Sequence, residues 1–341
     1  MTTTPAESTT DEYAVYVEGL TRSFGETKAL TGLDLVVRPS TVVGLIGPNG
    51  AGKTTAVRVL STLLQPDGGI ARVAGFDVTQ DPGAVRERIG LTGQYAAVDE
   101  KLTGRENLEM IAQLTGWSRR GAGVRADEML ERFELTDAGD RPVGTYSGGM
   151  RRRLDLGASL VLSPSILFLD EPTTGLDPRS RGQLWDVIRE LVDEGTTLLL
   201  TTQYLEEADA LAERIVIIDD GHNIAEGTPD ELKAQVGGDV IEVVVADPVR
   251  TAEAAGLLES FSVGSINTNI ETGDVAVPIG DRQHMIAGAV RVLDDAGIRL
   301  VDVRRRRPSL DEVFLTLTGH ETRPEGEDTD HEEHPSEGVI S

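Results

Sequence analysis

The glycine-rich segment at residues 47–55 restricts the fold of this chain more than any other part of the sequence. It reads Gly-Pro-Asn-Gly-Ala-Gly-Lys-Thr-Thr, follows the apolar run 42–46, and leads into a helical pattern over residues 53–64. In such a strand–loop–helix unit, glycines allow backbone N–H groups to surround an anion at a helix N-terminus. The segment therefore predicts a phosphate-binding loop, within an α/β fold, that can hold a nucleoside triphosphate.

Every residue of this loop is a candidate nucleotide-binding residue. We expect Lys53 to place a compact positive charge against the β- and γ-phosphate oxygens. We expect Thr54 to offer its hydroxyl to Mg²⁺, which keeps most of its ligands as water and phosphate. The full candidate set is Gly47, Pro48, Asn49, Gly50, Ala51, Gly52, Lys53, Thr54 and Thr55.

Two carboxylates follow another apolar run. Residues 166–169 have the length of a buried strand, and Asp170 and Glu171 come directly after them. Ligands of open α/β sheets bind beyond the carboxyl ends of the strands. We expect Asp170 to hold a magnesium-bound water and Glu171 to polarise the attacking water as a general base. The alternative is that this Asp-Glu-Pro sequence only begins a loop.

A polar, glycine-rich turn at residues 146–150, Tyr-Ser-Gly-Gly-Met, opens a predicted helix. Its free N–H groups and the helix dipole favour an anion. Ser147 is also an ordinary helix-capping residue, so local capping is the alternative interpretation. A simple phosphate-loop enzyme has no use for a second segment of this kind. The two segments together therefore indicate an ATP site assembled from two protomers.

The phosphate loop, Tyr-Ser-Gly-Gly-Met, Leu-Asp-Glu-Pro and the Gly-Leu-Asp at 175–177 resemble, in this order and spacing, the nucleotide-binding domain of ABC transporters. The resemblance covers about residues 14–236. It implies a phosphate-loop (RecA-like) α/β core that carries an antiparallel β subdomain and a helical subdomain. It also implies a homodimer of ATPase subunits that binds ATP and Mg²⁺.

The resemblance assigns roles to the second segment. Ser147, Gly148 and Gly149 are expected to contact the γ-phosphate of the ATP held by the opposite protomer. Asp177 is expected to lie in the loop that signals across the dimer. The three arginines at 151–153 are expected to meet carboxylates or phosphate-side groups within the dimer.

Three further positions follow from the same resemblance. Phe24 matches the aromatic residue that stacks on adenine, although ordinary core packing is an equal alternative. Gln94 matches the glutamine that links Mg²⁺ to the helical subdomain and the membrane partner. Gln203 is a departure, because most members carry there a histidine that touches the γ-phosphate. An amide can donate a hydrogen bond but carries no charge, so Glu171 stays the base and Gln203 a second catalytic candidate.

Residues 144–153, 201–211 and 306–314 are similar to the daunorubicin- and doxorubicin-resistance group of exporter ATPases. This narrower resemblance implies the ATP-hydrolysing subunit of a two-component exporter of a hydrophobic drug, secondary metabolite or lipid. The partner is then an integral membrane permease encoded separately, and the ATPase lies peripherally on the cytoplasmic face of the membrane. The alternative is a soluble ABC ATPase that acts on ribosomes or DNA.

Charge and composition bear on that alternative. The formal net charge of −26 disfavours nucleic acid as the main partner, because neutralising phosphates requires a basic surface. The sequence contains no cysteine, no apolar run of transmembrane length and no signal-peptide pattern at its N-terminus. We therefore expect a cytoplasmic protein.

Composition also divides the chain. We expect a disordered leader at 1–12, the nucleotide-binding domain at 13–236 with its helical subdomain at about 95–163, an accessory domain at 239–319 and a disordered acidic tail at 320–341. The accessory domain has a β–α–β–β–α–β pattern that resembles a small ferredoxin-like domain, with a strand at 262–270. It is expected to serve dimer contact or stability, and binding of a small ligand is the alternative.

Two details concern the end of the chain. The amphipathic segment 309–317 is expected to pack back onto another part of the protein. The arginines at 304–307 are read as a solvated or salt-bridged face, with a nucleic-acid or lipid patch as the alternative. His331 and His334 have the spacing of metal ligands, but their acidic surroundings favour a solvated tail.

Overall fold

The computed structural model of the chain describes residues 12–93, 98–235, 239–280 and 285–319. Gln94, most of the expected leader and the expected acidic tail lie outside the described residues. Within the described ranges, no helix combines the length and the apolar character needed to cross a membrane.

The described residues form strands and helices that alternate along most of the chain. The strands are β1 (Val15–Phe24), β2 (Thr27–Val37), β3 (Val42–Ile46), β4 (Gly68–Val73), β5 (Phe76–Asp77), β6 (Ile89–Thr92), β7 (Ile166–Asp170), β8 (Thr197–Thr202), β9 (Arg214–Asp219), β10 (His222–Gly227), β11 (Asp239–Val245), β12 (Asn267–Asn269), β13 (Asp274–Gly280) and β14 (Leu300–Arg306). The helices are α1 (Lys53–Leu60), α2 (Pro82–Arg86), α3 (Gly104–Leu114), α4 (Arg119–Arg132), α5 (Gly148–Ser159), α6 (Pro178–Asp193), α7 (Leu205–Leu211), α8 (Pro229–Gln235), α9 (Thr251–Leu258), α10 (Ile286–Asp295) and α11 (Leu310–Thr318).

The central sheet has six strands in the order β10-β9-β3-β8-β7-β6, and only the edge strand β10 is antiparallel to its neighbour. Every residue of β3, β7 and β8 is buried, as expected for parallel strands covered on both faces. Ile46 is aligned with Thr202, and Asp170 is aligned with Thr201. The ends of β3, β7 and β8 therefore lie side by side at one edge of the sheet.

The two faces of this sheet belong to different hydrophobic cores. Val43 and Leu45 pack with α1 and the antiparallel sheet β2-β1-β4-β5, whereas Val42 and Ile46 contribute to a core shared with the helices of the other face. This alternation follows from the two-residue period of a strand. The antiparallel β subdomain implied by the sequence is present, and β4 and β5, which the sequence pattern did not mark, complete it.

The helical part of the chain consists of α3, α4 and α5, which pack on one another. The glycine-rich turn at residues 146–150 is called the signature turn from here on, and α5, which follows it, the signature helix. Thr103 and Glu106 form a reciprocal capping box at the start of α3. Ser118 caps α4, and its hydroxyl accepts a hydrogen bond from the N–H of Gly121. These caps define the starts of α3 and α4.

The C-terminal strands form a separate antiparallel sheet in the order β12-β13-β11-β14, and α9 and α10 share its hydrophobic core. The elements follow one another as β–α–β–β–α–β. The strand expected at 262–270 is wrong in length, because only Asn267–Asn269 are extended and paired. Ser262 accepts a hydrogen bond from the N–H of Gly264 and donates one to its carbonyl, which produces a turn there instead.

The last helix, α11, packs back as expected, and it packs on the nucleotide-binding part of the chain. Leu310, Val313 and Phe314 join the hydrophobic core that contains Leu232 of α8 and Leu205 of α7. The neighbouring arginines are ion-paired as the sequence suggested. Their acceptors are Glu242, Asp239, Glu312 and Asp230.

Candidate nucleotide-binding site

The phosphate loop connects β3 to α1 in a conformation that requires glycine at several positions. Gly50 and Gly52 have φ angles of 89° and 105°, in the left-handed region that side chains disfavour. A Cβ atom on Gly47 would lie 2.3 Å from the carbonyl oxygen of Ile218, and one on Gly52 would lie 2.4 Å from that of Ala29. The backbone of the loop is therefore packed closely, with its N–H groups at the start of α1.

Lys53 is the first residue of α1 and is only 5% exposed. Its ammonium group donates hydrogen bonds to the carbonyl oxygens of Gly47, at 2.7 Å, and Pro48, at 3.0 Å. Burial lowers the pKa of Lys53, while the nearby carboxylates of Glu171 and Asp170 oppose that shift. The lysine is thus a desolvated cation held inside the loop, where phosphate oxygens can take the place of the two carbonyls.

Asp170 ends β7 and is 4% exposed. Its carboxylate accepts hydrogen bonds from the hydroxyl of Thr201 on β8 and from that of Thr54 on α1, the latter at 3.3 Å. A carboxylate and a hydroxyl that face each other at the start of the phosphate helix are oxygen ligands of the kind that Mg²⁺ prefers. The residues present therefore fit a magnesium ion, which Thr54 and Asp170 would hold.

Glu171 has a φ angle of 49°, so a non-glycine residue adopts the left-handed conformation. Such a conformation costs about 1–3 kcal/mol and persists only where the surroundings enforce it. The N–H of Glu171 donates to the carbonyl of Thr201 at 3.0 Å, and the hydroxyl of Thr174 lies 3.4 Å from the Glu171 carboxylate. These two hydrogen bonds tie the backbone and the side chain of Glu171 to their neighbours.

Gln203 directly follows the end of β8 and is half-buried. The strand alignment brings it to the same sheet edge as the phosphate loop and Asp170. Gln94, the other candidate amide, lies outside the described residues, although Gly93, just before it, is described. The sheet edge thus gathers the loop, Asp170, Glu171 and Gln203.

Ser147 caps the signature helix α5, and its side chain accepts a hydrogen bond from the N–H of Met150 at 3.3 Å. The local capping role is therefore real, and it leaves Ser147 and Gly148 exposed. A Cβ atom on Gly148 would meet no atom within 4 Å, whereas one on Gly149 would lie 2.7 Å from the hydroxyl oxygen of Ser180. The start of α5 is open on one side and closely packed on the other.

Asp177 caps α6 and accepts hydrogen bonds from the hydroxyl and the N–H of Ser180. These bonds lower the pKa of Asp177, because they stabilise its charged form. Since Ser180 is also the neighbour of Gly149, this cap connects the loop at 175–177 to the signature turn within one chain.

Phe24 is 46% exposed at the end of β1, so it is not a core residue. The guanidinium of Arg22 lies 5.0 Å from the centre of its ring, and Arg22 also forms an ion pair with Asp67 at 2.8 Å. The ring is therefore held by a cation while part of it faces solvent, which suits stacking on a base.

The arginines after the signature turn form ion pairs with carboxylates of their own chain. Arg151 pairs with Glu100 and Arg153 pairs with Glu134. Arg152 reaches inward to the sheet edge and binds backbone carbonyls there. Carboxylates were expected as partners of these arginines, whereas the contacts of Arg152 with backbone carbonyls at the sheet edge were not.

Another residue that the sequence reasoning missed is Glu207 on α7, which is fully buried. Its carboxylate accepts a hydrogen bond from the indole N–H of Trp185 at 3.4 Å. Burial raises the pKa of Glu207 to about 7, although hydrogen bonds with Thr202, Thr173 and Trp185 lower the pKa in part. The sequence shows that Glu207 lies four residues after Gln203, but its polar neighbours give no indication that it is buried.

A phosphate loop beside a carboxylate-ended strand, combined with a signature turn on an added helical part, is the arrangement of ATP-binding cassettes. The sequence model of the ABC transporter family matches residues 30–174. A daunorubicin resistance ATP-binding protein of Streptomyces coeruleorubidus is 58% identical over 92% of this chain and 97% of its own length. A daunorubicin/doxorubicin resistance ATP-binding protein of Streptomyces peucetius is 52% identical over 90% of this chain and 93% of its own length.

Solved structures agree with this result. A dimeric ATP-binding cassette in a post-hydrolysis state with ADP and Pi is 25% identical and has a TM-score of 0.57, covering 63% of this chain and 98% of that one. The chain belongs to the ABC transporter family, in its group of daunorubicin-resistance ATP-binding proteins. Like other cassettes of the family it is an ATPase.

Proposed function

We propose that this protein is the ATP-hydrolysing subunit of a two-component exporter that moves a hydrophobic drug or related metabolite through a separate membrane permease. The observation that carries the proposal is the pairing of an enclosed half-site with an exposed signature turn. Lys53 and Asp170 are buried at the sheet edge, whereas Ser147 and Gly148 face solvent. Such a turn presents free N–H groups to an anion that a second protomer supplies.

In this proposal the phosphate loop binds ATP in its own protomer. The glycine backbone surrounds the phosphates, Lys53 exchanges its two carbonyl partners for phosphate oxygens, and Phe24 stacks on the adenine. Thr54, Asp170 through a water, and Gln94 would hold the magnesium ion. Magnesium, when bound, neutralises charge that develops on the phosphates.

Glu171 acts as the general base. Glu171 directly follows Asp170 at the sheet edge, and its carboxylate lies near enough to Lys53 of the phosphate loop to oppose the lowering of the lysine pKa. It removes a proton from the attacking water, and Gln203 donates a hydrogen bond to the γ-phosphate. Ser147, Gly148 and Gly149 contribute from the opposite protomer, and Asp177 connects the two sites.

The assembly is a homodimer of ATPase subunits that docks on the cytoplasmic face of a membrane permease encoded as a separate chain. The names of the two Streptomyces relatives support a role in resistance to daunorubicin or doxorubicin. The same names give no support to a ribosome- or DNA-associated ATPase, and a net charge of −26 is unfavourable for nucleic acid.

The test is daunorubicin efflux from drug-sensitive cells that express this chain together with its membrane permease. Efflux should require both chains and should disappear when the chain carries Glu171→Gln. Equal efflux from cells with the parent and with Glu171→Gln would contradict the proposal. If Glu171→Gln lost ATP turnover but efflux did not depend on the chain at all, the ATPase activity would stand and the transport role would be excluded.

A further inference from the structure

The guanidinium of Arg152 holds the backbone from which the candidate catalytic residues project. Its Nε donates to the carbonyl of Pro172 at 2.6 Å, and its Nη1 donates to that of Gly93 at 2.7 Å. Its Nη2 donates to the carbonyls of Glu171, at 3.0 Å, and Asp170, at 3.3 Å. One side chain thus binds three consecutive carbonyls at the end of β7 and one at the end of β6.

Arginine suits this position because its five N–H donors lie in one rigid plane. A lysine ammonium keeps the charge but cannot span carbonyls that belong to two strands. Burial lowers the pKa of Arg152, while the carboxylates of Asp155 and Glu207 and then those of Asp170 and Glu171 oppose that shift. A guanidinium remains protonated under such conditions, so the group is a fixed buried cation.

The bound carbonyls are those that define the position of Glu171. Glu171 adopts a left-handed backbone, and a strained turn of this kind requires neighbours that enforce it. Arg152 contacts the carbonyl before the turn, the carbonyl of Glu171 itself and the carbonyl after it. Its fourth contact, Gly93, directly precedes Gln94.

Arg152 lies on the signature helix α5, five residues after its capping serine, Ser147. We propose that Arg152 is a positioning residue that joins the signature turn, which contacts the ATP of the opposite protomer, to the backbone of Glu171 and Gly93 in its own protomer. The proposal rests on the function proposed above. The effect of Arg152 on turnover passes through the backbone that it holds.

The experiment compares Arg152→Lys with the matched control Arg153→Lys. Arg153 is the next residue of α5. Its guanidinium donates to the Glu134 carboxylate and to the carbonyl of Phe133, and not to the backbone of Asp170 or Glu171. Arg152→Lys should lower kcat for ATP by about 10- to 100-fold with KM unchanged, because small displacements of a catalytic group have effects of that size. Arg153→Lys should keep the parental kcat.

Two further measurements separate positioning from a general loss of structure. The Arg152→Lys protein should bind ATP with parental affinity, and Arg152→Lys combined with Glu171→Gln should still form an ATP-bound dimer. Arg152→Gln, which is uncharged but retains an amide donor, provides a second variant should the lysine protein not fold. It should likewise lose kcat and keep ATP affinity.

A folded Arg152 variant with parental kcat overturns the proposal, and so does a variant that loses ATP affinity and kcat together. Failure of the underlying function has a different signature. In that case Glu171→Gln with an intact Arg152 remains monomeric in ATP, whatever the Arg152 variants do.

Discussion

Thr201 donates a hydrogen bond from its hydroxyl to the carboxylate of Asp170, joining the ends of two neighbouring buried strands. The same threonine accepts the backbone N–H of Glu171 on its carbonyl oxygen. A residue without a proposed contact to nucleotide therefore holds the Asp170 carboxylate and the Glu171 backbone in place.

Thr201→Val should destabilise the fold and slow turnover. The valine keeps the shape but removes a hydroxyl partner from a carboxylate that is 4% exposed. Leaving a buried acceptor short of a bond costs about 1–3 kcal/mol of unfolding free energy. Chemical denaturation measures this loss, and Thr201→Ser, which retains the hydroxyl, is the control. Equal unfolding free energies for the valine and serine proteins would show that the hydrogen bond contributes nothing.

Lys53→Met should weaken ATP binding without weakening the fold. A charged hydrogen bond contributes about 1.5–3 kcal/mol, so affinity should fall by about 10- to 100-fold. Burial already lowers the pKa of Lys53, which means that the folded chain tolerates its charge at a cost. Titration with a fluorescent ATP analogue tests the affinity, and thermal unfolding tests the fold. The exposed Lys101→Met is the control, and a binding loss of equal size there would refute the specific role of Lys53.

Gln203→Ala should lower kcat by about 10- to 100-fold, because it removes a hydrogen-bond donor from a charged phosphate group. Gln203→His tests whether a histidine can replace the glutamine at this position. It should retain turnover and add a pH dependence near the ordinary histidine pKa of about 6.5. Steady-state ATPase assays across pH give both results. Parental turnover in the alanine protein excludes a role for the amide.

Glu207 should make the fold less stable as the pH rises from about 4.5 to about 7, because burial raises its pKa to about 7. Between these two pH values the folded chain still carries the Glu207 proton, whereas the unfolded chain has lost it. The stabilisation by this proton is therefore complete below the unfolded pKa. It disappears as the pH passes the folded pKa. The effect is on the order of 3 kcal/mol for a shift of this size. Glu207→Gln should remove that pH dependence.

Unfolding free energies of the parent and Glu207→Gln, measured at pH 5 and pH 8, test this expectation, since the contributions of other groups cancel in the difference. The exposed neighbour Glu206, which is 71% exposed and pairs with Arg181, provides the control variant Glu206→Gln. Parallel pH curves for the parent and Glu207→Gln would contradict the buried proton.

Much of the fold follows from short-range sequence signals. The continuous apolar runs at 42–46 and 166–169 predict buried parallel strands, and the residues after them predict what lies at the sheet edge. The signature turn is marked by its capping serine and glycines. These signals are local, because each element carries in its own residues the pattern that determines it.

Long-range packing could not be predicted in the same way. The amphipathic pattern of α11 indicates a buried face, but it does not show that its partners are α7 and α8 rather than the C-terminal sheet. Similarly, the sequence assigns Arg151, Arg152 and Arg153 the same expected partners, carboxylates or phosphate-side groups. The packing of α5 against β6 brings one of them to backbone carbonyls, while the other two pair with exposed carboxylates.

The proposed mechanism requires that two protomers share each ATP site and that Glu171 drives ATP hydrolysis. Both requirements can be tested by size-exclusion chromatography of Glu171→Gln with and without ATP and Mg²⁺. We expect a dimer that retains ATP and has no measurable turnover, and a monomer when ATP is absent. A Glu171→Gln protein that binds ATP as a monomer, or that hydrolyses ATP at the parental rate, would contradict it.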